Sequence, residues 1–140
     1  MKALTTLPLL ALIAATTTPA IPAEPIADCG LYQYRATITG VYDADTVTAD
    51  IDLGFSFIHA NQRLRLYGID APEVRGEERE AGLIARDALR DRILGKEVTI
   101  CSIKDGKGKF GRYLARIYHE GTFINAWLVF QDYAVSEYYD

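Results

Sequence analysis

A chain of 140 residues that is 49% hydrophobic and 24% charged fits one globular domain with a substantial core, and excludes a disordered tail, a collagen and a coiled coil. Its formal charge of -4 excludes a protein that grips nucleic acid through overall basicity, so any such grip has to be local. Two cysteines allow at most one bridge, and their spacing is not that of a CxxC metal pair.

Lys2 is the only charge before Glu24, and Leu7 to Ala15 (LPLLALIAA) is an apolar run followed by small residues at Thr18, Ala20 and Ala23. This layout predicts a signal peptide over residues 1–23, hence a secreted or periplasmic protein. The apolar run falls short of the roughly 20 residues needed to span a bilayer, so no stable membrane insertion is expected. Residues 24–140 then form one domain.

Tyr34 to Val41 is rich in β-formers and ends at the polar cluster Tyr42-Asp43-Ala44-Asp45, which reads as a strand running into a tight turn. Val47, Ala49, Ile51 and Leu53 alternate with Thr48, Asp50 and Asp52, the period of a strand with one buried face. A loop follows in which Phe55, Phe57 and Ile58 are expected to pack. Leu64 and Leu66 alternate with Arg63, Arg65 and Tyr67 in a third strand, so the arginines leave by the face away from the leucines.

Pro72 ends regular structure, and Glu77, Glu78 and Glu80 supply the negative charge that a helix N-terminus favours. Ala81, Ala85, Ala88, Leu89 and Ile93 recur at helical spacing, with Gly95 as the stop. Val98 to Ile103 and Tyr113 to Tyr118 read as two more strands around a Gly/Lys loop. Asn125 can cap a short helix through Ala126, Trp127, Leu128 and Val129. Five strands with a helix after the third predict an α+β fold, mainly β with helices, built as a five-stranded Greek-key barrel of the OB type.

Four acids stand at strand ends: Asp43 and Asp45 after the first, Asp70 and Glu73 after the third. An acidic turn is commonly only a solvated turn. Carboxylates brought together, however, repel unless a cation or proton relieves them, and oxygen ligands suit Ca²⁺ or Mg²⁺. Arg65 and Arg112 supply planar guanidinium groups matched to phosphate oxygens. Arg112 closes Lys104-Asp105-Gly106-Lys107-Gly108-Lys109-Phe110-Gly111-Arg112, a cationic stretch whose glycines let backbone N–H groups approach an anion.

The segments Asp43-Ala44-Asp45-Thr46, Arg65 with Asp70-Ala71-Pro72-Glu73, and Lys109-Phe110-Gly111-Arg112 resemble, in order and approximate spacing, those of the staphylococcal nuclease (thermonuclease) family. The likeness covers about residues 34–138. It implies an OB-type barrel and a Ca²⁺-dependent phosphodiesterase that hydrolyses DNA and RNA with little sequence specificity and leaves 3′-phosphate ends. By the same resemblance Asp45, Asp70 and the carbonyl of Ala71 bind the calcium, Glu73 is the general base, and Arg65 and Arg112 hold the scissile phosphate. Lys109, Phe110 and Tyr138 match positions that contact the nucleotide. The family barrel also implies that Cys29 and Cys101 come near each other and form a disulfide. A monomer acting on single-stranded DNA or RNA is expected. The alternative is a non-catalytic OB-fold module that binds nucleic acid, since a fold alone does not fix a function.

Overall fold

The computed structural model describes residue 3, residues 29–107 and residues 110–137, without the side chains of 104–107. The expected leader, Ala3 apart, lies outside the described residues, as do Lys109 and Tyr138. Among the described residues the chain runs β1 (Gln33–Asp43), β2 (Thr46–Asp52), β3 (Ile58–Leu66), β4 (Ile69–Asp70), α1 (Arg79–Ile93), β5 (Glu97–Lys107), β6 (Tyr113–His119), β7 (Thr122–Phe123), α2 (Ile124–Phe130) and β8 (Val135–Ser136). The order β3-β2-β1-β5-β6 is antiparallel throughout, and a parallel pairing of β3 with β6 through Leu64↔Tyr113 and Leu66↔Ala115 closes the barrel. The fold is the expected five-stranded OB-type barrel with two helices.

The period of two in β2 buries Val47, Ala49 and Ile51, and that in β3 buries Leu64 and Leu66. In β1 a register shift between Ile38 and Gly40 changes the parity. Ala36 and Ile38 face inward before it, and Val41 and Asp43 after it, so Tyr42 is turned outward. Past Thr37, β1 loses its pairing with β5, and the segment after α1 takes over: Ile38 donates to Lys96 O at 3.1 Å and Gly95 donates to Ile38 O at 2.8 Å. Gly95 has a φ of +72°, the left-handed conformation that stops a helix cheaply only at glycine.

Helix α1 lays Gly82, Ala85, Leu89 and Ile93 on the barrel. The buried stripe begins at Gly82, and Ala81, expected on it, is exposed. Ile124 and Leu128 bring α2 onto the same core, where each fully buried Ile or Leu contributes about 1.5–3 kcal/mol relative to exposure. Asn125 is not a cap: it lies inside α2, 1% exposed, and accepts from Ile117 N–H at 3.0 Å. Its amide donates to Ala115 O at 3.1 Å and Tyr67 O at 2.9 Å, tying α2 to β6 and to the turn after β3. A polar side chain among apolar neighbours is retained because all three bonds are made.

Phe55, Phe57 and Ile58 do not pack as expected; they are 99%, 71% and 57% exposed. The reason is that β3 begins earlier than the leucine pattern suggests, at Ile58. It continues with β2 as a two-stranded ribbon whose turn is closed by Leu53 N–H to Phe57 O at 2.9 Å. The fourth predicted strand, Val98 to Ile103, is also longer, since β5 reaches Lys107. No helix among the described residues is long and apolar enough to cross a membrane.

Cys29 and Cys101 are joined as a disulfide, with Cα atoms 5.5 Å apart and a sequence separation of 72. It fastens the residue before the first short turn of 3₁₀ helix (Gly30–Tyr32) to β5, beside the Gln33↔Cys101 pair. Closing a loop of that length lowers the entropy of the unfolded chain, an effect of roughly 2–4 kcal/mol. Reduction, or the double change Cys29→Ser/Cys101→Ser, is therefore expected to lower the urea unfolding free energy by about that amount. Equal stability of the oxidised and reduced protein would contradict it.

Candidate active site

The turn between β1 and β2 is built by its own acids. Asp43 accepts the N–H of Asp45 at 3.1 Å, the side-chain-to-backbone bond that makes aspartate a turn former. The turn is sunk into the barrel mouth: Asp43, Asp45 and Thr46 are buried. A buried carboxylate is tolerated only when its oxygens are satisfied. Asp45 Oδ2 accepts the amide of Ala71 at 2.9 Å, and Oδ1 accepts the Thr46 hydroxyl at 2.9 Å and pairs with Arg65 Nη1 at 2.5 Å. Its main-chain carbonyl accepts Leu66 N–H at 2.8 Å. Burial first, and the Asp43 charge second, push Asp45 from the ordinary carboxylate range up to about 6, against the pull of the Ala71 amide and Arg65.

Arg65 reaches this turn because strand alternation sends it to the face opposite Leu64 and Leu66. Its Nη2 donates to Asp70 Oδ1 at 2.8 Å and lies 3.4 Å from Glu137 Oε2, so one guanidinium joins Asp45 to Asp70. Arg112, entering β6, donates from Nη1 to Thr46 Oγ1 at 2.7 Å. The Thr46 hydroxyl accepts from Arg112 and donates to Asp45, giving one continuous run from Arg112 through Thr46, Asp45 and Arg65 to Asp70. Arg112 Nε is buried and has no partner among the described residues. A buried donor left over in this way is a place where an acceptor can be gained.

Asp70 is fixed by the short pairing of β4 with β8, Ile69↔Ser136 and Asp70↔Val135. From there the chain runs through Ala71 and Pro72 to Glu73, whose N–H donates to Glu78 Oε2 at 3.2 Å and whose side chain is exposed. The Glu73 carbonyl rests directly on the backbone of α1 at Gly82. A Cβ there would lie 2.2 Å from Glu73 O and 2.8 Å from Pro72 O.

Of the residues singled out from sequence, Asp45, Arg65, Asp70, Ala71 and Arg112 are thus brought into one hydrogen-bonded group, and Glu73 stands two residues beyond Ala71. Phe110 is 81% exposed, with its ring centre 5.3 Å from the Arg112 guanidinium carbon. Among the described residues no group of three or more His, Cys, Asp and Glu side chains converges as a metal cluster. The Asp45 and Asp70 carboxylates are both within reach of one guanidinium, that of Arg65.

Sequence reading gave no role to Thr46, Gly82 or Glu137. A glycine inside a helical pattern is a signal of close packing and could have pointed to Gly82. Glu137 carries none, being 72 residues from Arg65.

Comparison with known families adds an independent finding. Residues 63–140, more than half of the chain, match the family described as staphylococcal nuclease homologue. The chain belongs to that family. The match takes in Arg65, Asp70, Glu73 and Arg112, and the turn with Asp43 and Asp45 lies before it. No curated protein matches the chain in a sequence search.

Because Gly82 admits the Pro72–Glu73 backbone, Gly82→Ala separates two effects of opposite sign. Helix propensity alone would stabilise by about 1 kcal/mol, whereas the buried overlap forces the loop away and costs about 1–3 kcal/mol. The variant is expected to unfold at lower urea than the parent, and a stabilised Gly82→Ala would show that the contact is absent.

Proposed function

We propose that this chain is a secreted or periplasmic phosphodiesterase that cleaves DNA and RNA with little sequence specificity. The observation that carries the reading is the pair of arginines held on one buried turn: Arg65 through Asp45, and Arg112 through Thr46, with the Arg112 Nε left for a further acceptor. Two guanidinium groups tethered to the same turn suit a tetrahedral anion whose oxygens gain charge during reaction. Family membership supports the same substrate class.

The donor set fits calcium, since the carboxylates of Asp45 and Asp70 already share one positive partner and the remaining donor, the Ala71 carbonyl, is also oxygen. A bound Ca²⁺ supplies Lewis-acid polarisation and a template for phosphate and water. Calcium held by Asp45, Asp70 and Ala71 would share the neutralisation of the two carboxylates that Arg65 now pairs with, and the parallel donors of Arg65 would then suit two phosphoryl oxygens. Arg112 holds the phosphate from the Thr46 side.

Glu73, exposed on a backbone seated against Gly82, is the base. It takes a proton from the attacking water as the water oxygen bonds to phosphorus. The bond from phosphorus to the 5′ oxygen breaks, that oxygen is protonated from solvent, and the other product keeps a 3′-phosphate. Contacts to phosphate position a strand and carry no base identity, which accounts for low sequence specificity and a preference for single-stranded or frayed substrates. Phe110, exposed beside Arg112, can lie against the nucleotide, and the same place in the reading belongs to Lys109 and Tyr138.

Digestion of single-stranded DNA is expected to require Ca²⁺ and to stop with EDTA. Glu73→Gln is expected to lower kcat by about 10²–10⁴, and Arg112→Ala by about 10²–10³. Binding of the oligonucleotide with no cleavage by the parent protein in Ca²⁺ would instead select the non-catalytic module. Cleavage indifferent to chelator would remove calcium from the account.

A further inference from the structure

The arginines of α1 form a second cationic surface, which the reading above does not use. Arg79, Leu83, Arg86 and Arg90 recur at spacings of four, three and four, each of the last three one position after a buried residue, Gly82, Ala85 and Leu89. One position is a turn of about 100° around a helix, so this stripe flanks the barrel instead of entering it. It meets the outer face of β1, where the shift at Ile38–Gly40 has turned Tyr42 outward. Between them lies a cavity of about 500 Å³ lined by Arg75, Arg79, Arg86, Arg90 and Tyr42, with no acidic residue in its wall.

Within this wall Arg90 is anchored, donating from Nε and Nη2 to Val41 O at 3.2 and 3.0 Å. Asp87 on the rim pairs with Arg86 at 2.8 Å and Arg90 at 3.8 Å. Arg75 and Arg79 have no carboxylate within ion-pair distance among the described residues. Four arginines against one rim carboxylate, on a chain of net charge -4, concentrate positive potential in one concavity. The Tyr42 ring is 43% exposed and carries the Arg63 guanidinium carbon 5.4 Å from its centre.

We propose that this arginine-lined cavity binds the phosphates of the nucleic-acid strand beyond the one being cleaved, with Tyr42 and Arg63 as a stacking platform. The inference rests on the nuclease reading and extends its substrate contacts. A strand is favoured over an acidic peptide by continuity. Val74 and Arg75 in the cavity wall directly follow the exposed Glu73, so the cavity begins one residue, about 3.8 Å along the chain, from the candidate base. A cationic groove with an exposed aromatic is also the usual means of holding a single strand without reading its sequence.

The test measures binding of a labelled single-stranded oligonucleotide of about 20 nucleotides to the full chain in EDTA across a salt series, so that no cleavage enters the readout. Arg79→Gln/Arg86→Gln is expected to weaken binding roughly five- to twenty-fold at low salt and to reduce the slope of log K against log salt by about 1.4, two lost phosphate contacts on a single strand. Arg35→Gln/Lys96→Gln removes the same charge outside the cavity and is expected to leave the slope unchanged. Equal behaviour of the two double variants would overturn the proposal, as would displacement of the oligonucleotide by polyglutamate at matched charge. A parent protein that fails to cleave while the two variants still differ in slope would strike the nuclease reading and sustain this one.

Discussion

One buried carboxylate sets the geometry of the candidate site. Asp45 is 2% exposed, and its oxygens are met from three other places in the chain: the Thr46 hydroxyl in β2, the Arg65 guanidinium from β3 and the Ala71 amide beyond β4. Removing a charge from water is costly, and the cost is offset only while all of these donors stay in place. The positions of Arg65, Thr46 and Ala71 are therefore consequences of a single requirement. Asp70 and Arg112 follow at one remove, through Arg65 and Thr46. The barrel supplies the frame, since the parallel pairing of β3 with β6 brings Arg65 beside the start of β6, which Arg112 directly precedes.

The distribution of charge fits the same logic. An acidic chain repels polyanions at long range, and its cations act where they are gathered. Two gatherings stand out, the arginine pair tethered to the Asp45 turn and the stripe on α1. A strand period turns Arg65, and a helix period the α1 stripe, away from the apolar core. In the nuclease reading the first holds the reacting phosphate and the second the strand that continues from it.

Much of the barrel was legible in the sequence because alternation in β2 and β3, and the spacing of Ala85, Leu89 and Ile93 in α1, follow directly from one-sided burial. Where the reading failed, a nonlocal contact decided. Phe55 and Phe57 looked like core but sit at the tip of a ribbon that outruns the barrel, a length that no local pattern records. Asn125 had the chemistry of a cap, yet the barrel needed its three hydrogen bonds between β6, α2 and the turn at Tyr67. Tyr42 was placed in a polar turn, and its exposure depends on a register shift in β1. For the site, the acids and arginines could be named from their motifs. That Thr46 bridges the two halves, and that Glu137 returns to Arg65, depended on the closed fold.

The most direct test of the claim that Asp45 organises the site is a double-mutant cycle between Asp45→Asn and Arg65→Gln, read by urea unfolding of the four proteins. A satisfied buried pair predicts strong non-additivity, with a coupling of about 1–3 kcal/mol and the double variant less damaged than the sum of the singles. Additive losses, with coupling below about 0.3 kcal/mol, would show that the two side chains do not depend on each other and would contradict the account.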